Sequence, residues 1–266
     1  MVSGELTARR FAGVVRFQVS QGMPDELQFW ICRQLEADPE DIQEIEGLLS
    51  LTDLARFNSE GRADLQYPPH IPVVHPRLRN HDTEDPDSFF SEIRKGDLLL
   101  HQPYHDYETS IVRFLKSAMR DPKVLALKLT IYRTSSSSPI IRTLTEAAKA
   151  GKQVVVLVEI TARFDEAPNI AWGEQLEKAG AHVVYGVKRL KTHVKLGLVV
   201  REEEDGLRRY VHLSTGNYHT GTARLYEDLG ILTCNPELGE GVSEVFNELS
   251  SALPAENYGP LLVAPH

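Results

Sequence analysis

Apolar and polar positions fall into a regular order from about residue 97 onward. "DLLLHQP" (97–103) predicts a short buried strand, and "DYETSIVRFLKSAMR" (106–120) carries apolar residues at helical spacing. "KVLALKLTIY" (123–132) predicts a strand. "PIIRTLTEAAKAGK" (139–152) predicts a helix, with Pro139 near its start and Gly151 past its end. "QVVVLVEI" (153–160) is apolar on both faces, which predicts a central strand. "NIAWGEQLEKAG" (169–180) predicts a helix closed by glycine. Further strands are expected at "AHVVYGV" (181–187), "HVKLGLVV" (193–200) and "RRYVHLST" (208–215), the last two joined by the charged turn "REEEDGLR" (201–208). "GVSEVFNELSSAL" (241–253) predicts a closing helix. Strands alternating with helices predict an α/β sandwich around a mixed, largely parallel sheet.

The first 65 residues are more mixed and predict a smaller α+β segment. "GVVRFQVS" (13–20) alternates as a strand does. "PDELQFWICRQL" (24–35) opens on Pro24 and Asp25 with acids in its first turn, as helices do, and "DPEDIQEIEGLL" (38–49) repeats that opening. "QYPPHIPVVHP" (66–76) holds four prolines, and proline fixes φ and donates no hydrogen bond. With the polar run "RNHDTEDPDS" (79–88) behind it, this reads as an extended junction. The expected division is 1–80, a partial helical segment with its connector, and 81–266, the main domain.

Charge narrows the partners. The chain has 266 residues and a net charge of −9, which argues against a general nucleic-acid binder. Yet residues 186–201 hold Lys188, Arg189, Lys191, Lys195 and Arg201 and no acid. A basic pocket in an acidic protein selects a specific anion. Cys32 and Cys234 are the only cysteines, which predicts neither a disulfide framework nor a metal site of cysteine type and fits a reducing cytoplasm. A peripheral place at the inner membrane face stays open. The N-terminus lacks the apolar core of a signal peptide, and no run approaches the ~18 apolar residues of a membrane span.

In an open α/β sheet, ligands bind beyond the carboxyl ends of the strands. Arg133 and Arg163 follow two predicted strands, and guanidinium forks suit phosphate oxygens as well as surface ion pairs. "TSSSSP" (134–139) is either a flexible serine loop or an anion site at a helix N-terminus. Asp165 and Glu166 could orient Arg163 or approach a metal, and Asn169 reads as a helix cap. His193 and Lys195, two apart in a strand, project from one face. A lysine inside an apolar strand is costly to bury without an anion, so the pair together favours function. Downstream, "VHLSTGNYHTGTARLYEDLG" (211–230) supplies His212, the "STGN" turn with Asn217, then Arg224 and Tyr226, which is either core or a flat stacking surface. An H-x-K followed by such a turn has a mechanism: a neutral imidazole attacks phosphorus, while lysine, amide and backbone N–H groups neutralise the oxygens. The arrangement resembles one half of a phospholipase D superfamily site.

Longer stretches carry a more specific resemblance. "DLLLHQPYHDYETSIVRFL", "DPKVLALKLTIYRTSSSSPII", "AAKAGKQVVVLVEITARFDEAPNIAWGEQLEKAGAHVVYGV", "LKTHVKLGLVVR" and "STGNYHTGTARLYEDL" resemble the polyphosphate kinases, which make inorganic polyphosphate from ATP through a histidine intermediate. The likeness runs from about residue 85 to the end and extends weakly to the N-terminus through "ARRFAGVVRFQV" and "DLQYPPHIP". It implies a phospholipase D-like α/β sandwich with ATP or ADP and polyphosphate as substrates. It implies His193 as the phosphorylated nucleophile, His212 as a second histidine beside it, Lys195 and Asn217 on the phosphate, and Tyr226 on the adenine. Arg133 and Arg163 would hold the transferring phosphates where the family also places Mg²⁺. A guanidinium cannot ligate a cation, so that link runs through phosphate oxygens. His219 departs from the asparagine expected there.

The resemblance further implies a homo-oligomeric enzyme longer at both ends, with a second H-x-K half. This chain holds one H-x-K and reads as a fragment whose activity alone is open. Two other readings remain: a phospholipase D-like phosphodiesterase that pairs two H-x-K halves by dimerising, and a non-catalytic module that binds phosphate or polyphosphate.

Overall fold

The computed structural model describes residues 13–59, 61–80, 82, 84–134, 138–160, 166–186, 190–251 and 253–265. The chain divides into two compact units, Met1–His70 and Ile71–His266.

In the first unit, strand β1 (Phe17–Ser20) pairs in parallel with β2 (Ile42–Ile45) across helix α1 (Asp25–Leu35). Acids Asp25 and Glu26 lie in the first turn of α1, where they meet the positive end of the helix dipole. Gln28 ties the helix to the strand by donating to Glu44 Oε1 at 2.9 Å. The second helical opening, at 38–49, makes only a 3₁₀ turn (Pro39–Asp41), with Asp38 accepting from Glu40 N, before β2 begins. Strand β2 then pairs residue for residue with β1, from Phe17 opposite Ile42 to Ser20 opposite Ile45.

The second unit is built on a seven-stranded sheet ordered β3–β9–β8–β7–β4–β5–β6. The strands are β3 (Leu98–Gln102), β4 (Val124–Ile131), β5 (Gln153–Val158), β6 (His182–Tyr185), β7 (Lys195–Glu203), β8 (Gly206–Ser214) and β9 (Asp228–Thr233). The sheet is mixed, but parallel pairing is confined to β4–β5–β6, and the other four pairings are antiparallel. The expectation of a largely parallel sheet fails for two local reasons. The β7–β8 turn is only Glu204–Asp205, with Gly206 at φ +118°. Strand β9, absent from the sequence reading, returns between β8 and β3.

Helices α2 (Pro86–Arg94), α3 (Arg113–Arg120, entered through a π turn at Glu108–Val112), α4 (Pro139–Lys149) and α5 (Glu166–Lys178) contribute Phe89, Phe90, Phe114, Leu144 and Leu176 to the core on one face. Helix α6 (Pro236–Ser251) covers Leu196, Leu198 and Val211 on the other with Val242, Val245 and Phe246. Helix α2 was also not expected. Its signals are Asp85, which accepts from Asp87 N, and Pro86 at the first helical position. Both cysteines are free, and no helix among the described residues is long and apolar enough to cross a membrane.

Arg201 corrects the basic run. It lies at the far end of β7, fully buried, 2.8 Å from Asp121 Oδ2, 2.8 Å from Asp87 Oδ1 and 2.6 Å from Glu203 Oε2. It belongs to a buried ion cluster rather than to an anion pocket. Removing one partner of such a cluster leaves uncompensated buried charge. Arg201→Met is therefore expected to destabilise the fold by about 3–5 kcal/mol, seen as a lower midpoint in urea. Adding Asp121→Asn should recover part of the loss. An unchanged midpoint in the single variant would contradict the structure.

Candidate functional site

The ends of β4, β5 and β8 meet the starts of β7 and β9 at one end of the sheet. Thr130, buried in β4, donates to Val194 O at 2.7 Å and accepts from Leu196 N at 3.0 Å, so it clamps the chain on both sides of Lys195. Buried Glu159, just past β5, accepts from Thr192 N at 2.7 Å and fixes the residue before His193. Asn169 is not a helix cap. It lies within α5, and its Nδ2 donates to Tyr132 O at 3.0 Å and Glu159 O at 2.9 Å, tying together the two strand ends.

His193 and Lys195 do meet. Lys195 Nζ lies 3.1 Å from His193 Nε2 and 2.5 Å from the His193 carbonyl oxygen. An ammonium has no acceptor capacity, so the lysine donates to both, and a neutral ring then carries its proton on Nδ1. Lys195 is 4% exposed whereas the histidine ring reaches solvent. Partial burial, then the charges of Lys195, Lys191 and Arg133, hold His193 below the usual histidine pKa. Burial likewise lowers the pKa of Lys195, and the carboxylate of Asp228 opposes that shift. The result is a neutral imidazole beside a cation at neutral pH, the pairing that attack on phosphorus requires.

His212 lies on β8 directly opposite Gly197 of β7, with 1% of its surface exposed. Its Nδ1 is 2.7 Å from Tyr218 Oη, and burial pushes its pKa down to about 3. It is a neutral interior group rather than a solvent-facing one. Gly197 makes room for the tyrosine that holds it: a Cβ there would come within 3.1 Å of both Leu129 Cδ1 and Tyr218 Oη.

The "STGN" turn differs in detail from its reading. Gly216 N–H donates to Ser214 Oγ at 2.9 Å, so it does not point at an anion. The glycine is required by close packing, since a Cβ would come within 2.9 Å of Asp228. Asn217 follows, half-buried, with its Oδ1 lacking a hydrogen-bond partner among the described residues. His219 Nδ1 accepts from Gly221 N at 3.0 Å and Thr222 N at 3.1 Å, capping the 3₁₀ turn Thr222–Arg224. That turn presents Tyr226, which is 60% exposed and free of the core. Arg133 is half-buried just past β4. Arg163, Asp165, Ser135–Ser137, Lys188 and Arg189 lie outside the described residues, as does the side chain of Glu166. Among the described residues no group of three or more His, Cys, Asp or Glu could hold a metal ion. The described donor set is cationic and suits an anion.

Sequence reasoning missed Thr130, Glu159 and Asp228. Each acts across a fold contact, and only the oddness of a buried polar residue at a strand end signals it.

The family model for polyphosphate kinase C-terminal domain 1 matches residues 88–254, and the model for the polyphosphate kinase middle domain matches residues 1–57. The polyphosphate kinase of Mycobacterium avium is 48% identical over 262 residues, 98% of this chain and 36% of that protein. The polyphosphate kinase of Mycobacterium tuberculosis is 47% identical over the same share of this chain and 35% of its own length. The crystal structure of polyphosphate kinase from Porphyromonas gingivalis superposes with a TM-score of 0.77 at 32% identity, covering 94% of this chain and 38% of that one. The chain thus spans about a third of the length of the curated relatives it matches.

Proposed function

Because this chain belongs to the polyphosphate kinase family, we propose that it carries the nucleophilic half of a site that moves the terminal phosphate of ATP reversibly onto inorganic polyphosphate. The observation that carries this reading is the Lys195–His193 pair, 3.1 Å apart within a group of cations. At rest the lysine occupies the Nε2 lone pair. An arriving phosphate offers charged acceptors, so the ammonium turns to its oxygens and frees Nε2.

Nε2 attacks the γ-phosphorus. An N–P bond forms, the bond to the β–γ bridging oxygen breaks, and ADP leaves with that electron pair. A terminal oxygen of polyphosphate then attacks phosphorus, and the N–P bond returns its pair to Nε2. Lys195, Arg133, Arg163 and the Asn217 amide neutralise or bind the phosphate oxygens, and Tyr226 stacks on adenine. His212 stands on the strand beside β7 as a second, neutral histidine held by Tyr218. Mg²⁺, when bound, would neutralise further phosphate charge, reaching the protein through oxygens held by Arg133 and Arg163. Dependence on ATP favours a cytoplasmic setting, and a homo-oligomer follows from the family resemblance.

Incubating the complete protein with γ-labelled ATP is expected to place one acid-labile phosphoryl group on the peptide containing His193. Label that maps elsewhere, or survives in His193→Ala, overturns the assignment.

A further inference from the structure

One aromatic ring sits among the cations of the site. Lys195 Nζ is 5.3 Å, Arg133 Cζ 5.7 Å and Lys191 Nζ 5.9 Å from the centroid of the Tyr132 ring. All three fall within the ~6 Å over which a ring quadrupole attracts a cation. The His193 ring stands 4.8 Å from Tyr132, edge to face at 82°. Asn169 holds the Tyr132 carbonyl, so the ring is mounted on the clamp that joins β4 to β5.

We infer that Tyr132 is a positioning residue: its ring gathers three cations and holds the nucleophilic imidazole edge-on before phosphate arrives. Three like charges around one point repel each other. A carboxylate there would hold them together but would also neutralise them and repel a polyanion. An aliphatic side chain would leave them to splay. An aromatic ring attracts each cation while adding no net charge, so the positive field stays available to the ligand. Sequence reading passed over this tyrosine because it looks like the last residue of an apolar strand.

The inference rests on the proposed phosphate role of this site, and two separate readouts keep the failures apart. The first is affinity of the complete protein for tripolyphosphate, measured by calorimetry without any turnover. The second is the single-turnover rate of His193 phosphorylation against its half-saturating ATP concentration. Tyr132→Phe keeps the ring and is expected to stay within about twofold on both. Tyr132→Met, similar in volume but not aromatic, is expected to weaken tripolyphosphate binding ~10-fold, the scale of two or more lost cation–π contacts. It should also slow phosphorylation at saturating ATP. Tyr132→Leu serves as a second non-aromatic variant, with thermal unfolding of both recorded. Equal binding by the Phe, Met and Leu variants overturns the inference, as does a Phe variant as weak as Met. Loss of binding in Met and Leu, rescued in Phe, supports it even if the label maps away from His193. In that case only the nucleophile assignment falls.

Discussion

Lys195→Met in the complete protein is expected to slow phosphorylation of His193 by ~10²–10³-fold, the usual scale for removing one preorganised donor to transition-state charge. The fold should tolerate the change. Lys195 sits 4% exposed against the rings of Tyr132 and His193, and methionine fills similar space without a charge to desolvate. Stability is therefore expected to hold or rise while the rate collapses. A second signature follows from electrostatics. The Lys195 charge helps to keep the His193 pKa low, so its removal should let that pKa rise. The acid limb of the phosphorylation profile then moves to higher pH. A rate loss with an unmoved acid limb and reduced stability would indicate a packing role instead.

Acidification should expose His212. Burial holds it neutral with a folded-state pKa of about 3, against ~6.5 in an unfolded chain. Between those values the unfolded chain binds a proton that the folded chain cannot. Stability from this group is complete above about pH 6.5 and falls as the pH drops toward 3, by on the order of 4–5 kcal/mol in total. Urea midpoints at pH 7.0, 5.5 and 4.5 measure the slope, and His212→Asn should flatten it by about one proton. Burial also lowers the pKa of His75, His105 and His193, so the difference between the two proteins carries the test. Parallel slopes would mean that the ring is accessible or charged in the fold.

Much of this site was legible because its chemistry is local. His193 and Lys195 are two residues apart, so the pair stands out in the sequence, although β7 begins only at Lys195 and His193 lies just before it, in a segment fixed by Thr130 and Glu159. The elements that failed depend on distant partners. Strand β9 has Gly230 in its middle, which weakens a strand read alone. In the fold that glycine lies against His212, where a Cβ would come within 3.1 Å of Nε2. Helix α2 hid in a run of acids and prolines, although Phe89, Phe90 and Ile93 anchor it in the core. Glu159, Thr130 and Asp228 are ordinary polar residues in sequence. Only the crossing of β4, β5, β7 and β9 shows that Thr130 and Glu159 hold the H-x-K segment in place and that Asp228 brings a carboxylate near Lys195. Gly216 shows the opposite error: a motif reading gave it an anion to meet, and packing against Asp228 explains it better.

Strand β7 carries Lys195 at one end and Arg201 on the same face six residues later, which is ~20 Å at strand rise. Asp87, Asp121 and Glu203 are engaged at the Arg201 end. Those carboxylates are matched by Arg201 and, for Asp87 and Glu203, also by Arg94, so they add little to the potential that an approaching phosphate meets at the other end of the strand. The strand thus works as a spacer between two electrostatic climates. A chain with a net charge of −9 can in this way present a positive mouth, and its overall charge says little about what it attracts.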